Sequence, residues 1–115
     1  MILHCMAREG WEAAKRAGSY VLPEGEPFLH GSPVSFFWRV APNFRETQEE
    51  LVLLCIAEER VGSEIRWEDG DGCGRAYPHI YGTLNLDAVE AVLPYLRDAD
   101  GNWMKNPELA GYPDI

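Results

Sequence analysis

Along this chain the hydrophobic positions alternate, cluster and break in a pattern that predicts short strands with two early helices. The opening MILHCM alternates, which predicts a short buried strand with Ile2, His4 and Met6 on one face and Leu3 and Cys5 on the other. AREGWEAAKRAG sets Trp11, Ala14 and Ala17 at helical spacing, and Gly18 is its C-terminal stop; no N-cap residue marks the start. SYVL (19–22) predicts a short extended piece before the turn residues of PEGEP. FLHGS (28–32) predicts a strand that runs directly into a helix. Ser32 is a natural N-cap for that helix, Pro33 suits its first position, and Pro42 closes it.

The continuous apolar run ELVLLCI (50–56) predicts a strand central in a sheet and covered on both faces. AEERVG predicts one helical turn, and Ile65 to Glu68 and Pro78 to Gly82 predict strands. In NLDAVEAVLPY (85–95), Asn85 or Asp87 would cap a helix, but the β-branched content and Pro94 favour a turn leading into a last strand. The order predicts an α+β domain over 1–96, with both helices early and a mostly antiparallel later sheet. From Arg97 onward DADGN, Pro107 and Pro113 predict an irregular tail, 97–115.

A length of 115 residues supports one hydrophobic core, not two. The formal net charge of −9, with the basic residues scattered, argues against nonspecific binding to DNA or to an anionic membrane surface. It leaves room for a local basic pocket that takes a small phosphorylated ligand. Three cysteines without a CxxC pair, no signal-peptide pattern and no apolar stretch of membrane-spanning length predict a reduced, cytoplasmic setting. Nothing in the pattern specifies a protein partner.

The densest chemistry lies in WEDGDGCGRAYPHIYG, 67–82. As a calcium loop, Asp69, Asp71 and Gly74 fit an EF-hand, but Cys73 is a soft ligand and Ile80 stands where a bidentate carboxylate is required. As a phosphate cradle it lacks the Lys-Ser/Thr of a P-loop and surrounds its amides with anionic side chains. Gly70, Gly72 and Gly74 instead predict a turn between two strands.

Glu68 and His79 border that turn and can face one another across the hairpin. A carboxylate beside an imidazole orients it for acid–base work; the competing reading is a solvated Glu68 and a hydrogen-bonded structural His79. His4, His30 and His79 each fall in a predicted strand of one small domain. A three-histidine metal site has no supporting short-range spacing, so no metal is expected. Cys5 points away from His4 and cannot pair with it. Trp11, Phe36, Phe37 and Trp38 read as core.

Taken in order, MILHCMAREGWEAAKRAG, FLHGS with its aromatic-rich helix, ELVLLCI, RWEDG and PHIYG resemble a bacterial family of small stand-alone proteins. This is domain of unknown function family 952, and the resemblance covers residues 1 to about 100. RWEDG and PHIYG are its most specific pieces. That family is similar in fold to the ADP-ribosyltransferases and RNA 2′-phosphotransferases, whose split sheet holds NAD in a central cleft. The resemblance implies that fold here, with His4 in the strand whose histidine holds the adenosine-side ribose. FLHGS is similar to the second strand-to-helix motif of the phosphotransferases, a valine-histidine-leucine-serine stretch. Its literal His-Gly-Ser also resembles the first-strand signature of poly-ADP-ribosyltransferases; a complete strand and helix precede it, which favours His4 as the first-strand residue.

The departures are specific. Met6 stands where members carry threonine or serine, and the catalytic glutamate of many transferases has no clear counterpart. Arg39 and Arg66 are the arginines a phosphotransferase-like role would draw on, but neither falls in a motif. The resemblance therefore implies a cleft lined by His4, His30, Ser32, Glu68 and His79 that binds NAD, ADP-ribose or a related phosphorylated nucleotide. His4 and Ser32 would hydrogen-bond ribose or amide groups. His79, oriented by Glu68, would act as acid or base in a transferase reaction. The alternative is a non-catalytic ligand- or protein-binding module on the same fold.

Overall fold

Strand β1 (Ile2–Ala7) runs straight into helix α1 (Arg8–Ala17) in the computed structural model, which describes residues 1–70 and 72–115. No side chain caps the start of α1. Gly18 ends it at φ 90°, donating its N–H to the Ala14 carbonyl at 2.9 Å, the left-handed stop that glycine adopts without strain. Short strands β2 (Ser19–Tyr20), β3 (Leu29–His30) and β4 (Ser32–Pro33) follow. Helix α2 (Phe37–Val40) is a single turn between 3-10 turns at Val34–Phe36 and Ala41–Phe44. The rest is largely strand: β5 (Leu51–Ile56), β6 (Glu64–Glu68), β7 (Tyr77–Tyr81), β8 (Leu84–Asn85), β9 (Val89–Pro94), β10 (Leu96–Arg97) and β11 (Trp103–Met104). A 3-10 turn at Leu86–Ala88 leads into β9, so the turn-plus-strand reading of 85–95 holds.

Two sheets organise the molecule. The first has the order β4-β1-β5-β9 and the second β3-β7-β6, with every described pairing antiparallel. All of β5 is buried between β1 and β9, as an uninterrupted apolar run requires of a strand covered on both faces. Alternation along β1 and β5 sends Leu3, Cys5, Leu51, Leu53 and Cys55 to one face, where Val34, Phe37, Ala41 and Leu109 cover them. Ile2, Val52, Leu54 and Ile56 go to the other, against Trp11 and Ala14 of α1 and Leu29 and Ile80 of the second sheet. The chain is thus a mixed α/β fold with two helices and antiparallel sheets. Among the described residues no helix is long and apolar enough to cross a membrane.

Several expectations are corrected. FLHGS is not one strand: β3 pairs with β7 and β4 with β1, so the chain changes sheets at Gly31. Ser32 does not cap a helix, because its backbone pairs with Leu3; its hydroxyl donates to the Pro33 carbonyl at 2.8 Å, and the helical turns begin at Val34. Pro42 does not close a single helix. Lacking an N–H, it breaks the α ladder after α2 yet fits the start of the next 3-10 turn. Trp38 is 41% exposed rather than core, whereas Phe37 and Trp11 are buried. Ala17 is also exposed, at the helix end.

The segment after Arg97 is not wholly irregular. β10 and β11 form a small hairpin, and Leu109 seats in the first core. Arg97 ties this segment to the helical turns: its guanidinium donates to the carbonyls of Phe44, Arg45, Thr47 and Gly101 at 3.1–3.2 Å and lies 4.7 Å over Tyr95. Three of these carbonyls lie at or just after the Ala41–Phe44 turn and one belongs to the β10–β11 turn, so the guanidinium joins the two segments by charge and by hydrogen bonds. Arg97→Leu is expected to lower folding stability by about 1–2 kcal/mol. Urea denaturation checks this, and a midpoint matching that of the unsubstituted protein would refute it.

Candidate functional site

A cleft opens where the two sheets meet at the β3–β4 crossover. His30, Gly31, Val40 and Asn43 line two adjoining lobes, one of about 380 Å³ and one of about 410 Å³. Leu3, His4, Cys5 and Ser32 complete the first lobe, with Phe37 and Phe44. Phe28, Arg39, Glu68, Asp69, Tyr77 and His79 are among those completing the second. All five residues nominated from the sequence therefore line this cleft.

Strand register explains the second lobe. His30 pairs with His79, which pairs with Arg66 on the far side; Glu68 pairs with Tyr77, and Glu64 with Tyr81. With a period of two, Glu64, Arg66, Glu68, Tyr77, His79, Tyr81 and His30 share one face, while Leu29, Ile65 and Ile80 turn to the core. On that face the Glu68 carboxylate oxygen Oε1 accepts two hydrogen bonds, from His79 Nδ1 at 2.9 Å and from the Tyr81 hydroxyl at 2.5 Å. The Tyr81 and His79 donors hold the Glu68 carboxyl below its ordinary range, and the same bond pushes the Tyr81 phenol up. His79 is buried, with Phe28 stacked on its ring at 4.0 Å and His30 edge-on at 5.4 Å. Arg66 is ion-paired with Glu64 at 2.9 Å and lies over the Tyr81 ring at 4.3 Å.

Because Nδ1 of His79 donates to the carboxylate, its Nε2 remains for a ligand or a proton. The same logic applies to His4. Its Nδ1 lies 2.6 Å from the His30 carbonyl, which can only accept, so Nδ1 carries the hydrogen. Burial pushes the His4 pKa down to about 4, against the carbonyl bond, which favours the charged form. At neutral pH His4 is therefore a neutral ring whose Nε2 accepts. Ser32, also buried, spends its hydroxyl hydrogen on Pro33.

The loop between β6 and β7 is a turn held by one side chain. Asp69 accepts the N–H of Cys73 at 2.9 Å and of Gly74 at 2.7 Å, and these bonds, that from Gly74 foremost, hold its carboxyl below its usual range. Gly72 and Gly74 sit at φ 65° and 84°, the left-handed region the Asp-Gly run was read to favour. Asp71, weighed above as a calcium ligand, lies outside the described residues. Among the described residues no group of three or more His, Cys, Asp or Glu side chains is placed to hold a metal ion. Burial pushes the thiols of Cys5 and Cys55 up to about 12 and about 11, which makes them inert core groups.

Phe28, Asn43, Tyr77 and Tyr81 were missed from the sequence. The tyrosines had a signal: YPHIY alternates, so Tyr77 and Tyr81 must share the face of His79. Asn43 had none, since it enters only through the 3-10 turn after Pro42.

A family model described as protein of unknown function (DUF952) matches residues 5–92. The X-ray crystal structure of protein CC0527 from Caulobacter crescentus is similar, with 29% sequence identity and a TM-score of 0.82 over 95% of this chain and 97% of that one. The solution NMR structure of CC0527 gives 30% identity and a TM-score of 0.74 over 88% and 89% of the two chains. No curated protein matches the chain.

Proposed function

The chain belongs to the DUF952 family of proteins of unknown function, and we propose that its cleft binds NAD, ADP-ribose or a related phosphorylated nucleotide. The observation that carries this reading is convergence: His4, His30, Ser32, Glu68 and His79 come from five strands of two sheets and line one cleft. Its volume suits a small-molecule site; the first lobe has mostly apolar walls, and the second carries polar groups including Arg39, Asn43, Glu68 and His79. Two antiparallel sheets opened along a histidine-lined cleft also support likeness to the split sheet of ADP-ribosyltransferases. In this reading His4 Nε2 accepts from a ribose hydroxyl. His79 Nε2 takes or gives a proton, with Glu68 as its positioning partner.

A second reading, a non-catalytic binding module, is favoured by one observation. Both described carboxylates of the cleft wall are already engaged, Glu68 with His79 and Tyr81 and Asp69 with turn amides. An NMR titration with NAD, ADP-ribose and 2′-phosphorylated nucleotides tests both readings. Saturable shifts of the His4, His30 and His79 rings are expected. If none of these ligands moves those rings, the nucleotide reading is wrong. Bound ligand that yields product, with turnover lost in His79→Gln but binding kept, identifies an enzyme; binding without product identifies a module.

A further inference from the structure

We propose that Arg39 is the oxyanion anchor of the cleft, clamped so that its guanidinium fork receives the phosphate portion of a nucleotide in the second lobe. The proposal rests on the nucleotide reading above and adds which lobe takes the phosphates. Arg39, in α2, lines the second lobe. Its Nε donates to a main-chain oxygen of Ile115 at 2.9 Å, and its guanidinium lies 4.3 Å over the Trp38 ring. Trp38 Nε1 donates to the same oxygen at 3.3 Å, and the Ile115 N–H donates to the Ser35 carbonyl at 3.1 Å. Stacking fixes the plane of the guanidinium and the Nε bond fixes its rotation. One of five N–H donors is thereby used, and the four on the two terminal nitrogens have no partner among the described residues.

A pre-positioned fork suits an oxyanion better than a free side chain, because little rotamer entropy remains to be lost on binding. It also accounts for Trp38, an exposed tryptophan that packs no core. The competing charges are arranged consistently. Arg66 is held by Glu64, and Arg97 is spent on four carbonyls. Among the described residues lining either lobe, Arg39 is the only lysine or arginine, which decides where an anion can settle on a chain of net charge −9. Glu68 and Asp69 stand on the hairpin side of the lobe, held as carboxylates by internal hydrogen bonds, and disfavour an anion there. The anion therefore sits on the helical side, beside Arg39 and Asn43.

The test compares ADP-ribose with adenosine, which lacks phosphate, by NMR titration of the unsubstituted protein, Arg39→Gln, Arg39→Lys and Trp38→Leu. Backbone spectra verify that each variant is folded. ADP-ribose affinity is expected to fall about tenfold or more in Arg39→Gln, nearly as much in Arg39→Lys because an ammonium cannot fork, and about threefold in Trp38→Leu. Adenosine affinity is expected to stay within about twofold throughout. Unchanged ADP-ribose binding in Arg39→Gln, or an equal loss for adenosine, overturns the anchor while leaving the cleft reading intact. Absence of cleft shifts with both ligands in the unsubstituted protein overturns the cleft reading and the anchor with it.

Discussion

Replacing Gly31 with alanine is expected to lower folding stability by about 3 kcal/mol, well above an ordinary surface substitution. Gly31 is the single residue between β3, paired with the second sheet, and β4, paired with the first. A Cβ there would lie 2.6 Å from Ile2 Cγ2 and 3.0 Å from the Pro78 carbonyl oxygen, which already accepts the Gly31 N–H at 3.0 Å. Neither neighbour can yield cheaply. Ile2 is fully buried and β-branched, hence stiff at χ1, and the Pro78 oxygen is backbone within β7. The sheets must move apart, and because Gly31 lines both lobes the cleft must change with them. Gly111→Ala, where a Cβ would meet nothing within 4 Å, serves as the control and is expected to stay within about 0.5 kcal/mol. Chemical denaturation of the two variants decides it: if Gly31→Ala matches the control, the crossover is not the tight contact described.

The second large effect is a pH dependence carried by His4. Its folded pKa of about 4 lies below the ordinary histidine value of 6.5, mainly because the half-buried ring is desolvated. Above pH 6.5 the ring is neutral in both states and its contribution to stability is fully present. As pH falls from 6.5 towards 4 the unfolded chain takes up a proton that the folded protein refuses, so stability declines. Below about pH 4 both states are protonated and this loss stops. The full span corresponds to about 3 kcal/mol, with a limiting slope of about 1.4 kcal/mol per pH unit. His4→Asn, whose amide can still donate to the His30 carbonyl, is expected to flatten the stability curve across that window. Parallel curves for the two proteins between pH 7 and 4.5 would rule out this role for His4. Glu68 and Asp69, with depressed carboxyl pKa values, contribute stability that is lost only at lower pH, as each carboxylate takes its proton.

Where local pattern and tertiary environment agree, the sequence was legible. The alternation of MILHCM sends Leu3 and Cys5 to one core and Ile2 to the other. Trp11, Ala14 and Gly18 mark the buried face and the end of α1. ELVLLCI is the buried central strand, and the Glu68–His79 contact across the hairpin follows from two short strands and a glycine turn. The failures share a cause. Ser32-Pro33 carries correct helix-start chemistry, but the backbone there is taken by pairing with Leu3, a residue far away in the chain. Trp38 reads as core because aromatic residues usually are; its surroundings depend on Ile115, 77 residues along the chain, which periodicity cannot bring into contact with it.

The sequence alone determined an α+β fold with an early amphipathic helix, a doubly covered central strand, an aspartate–glycine hairpin and a set of histidines on strands. Those properties depend on spacing within a few residues, where backbone geometry leaves little choice. Only the tertiary structure decided that FLHGS divides between two sheets, that desolvation lowers the proton affinity of His4, and that Arg39 is held on the cleft wall. Each of these depends on register between distant strands or on desolvation by distant residues. Such contacts are set by the packing of the whole chain, and no local window of sequence contains them.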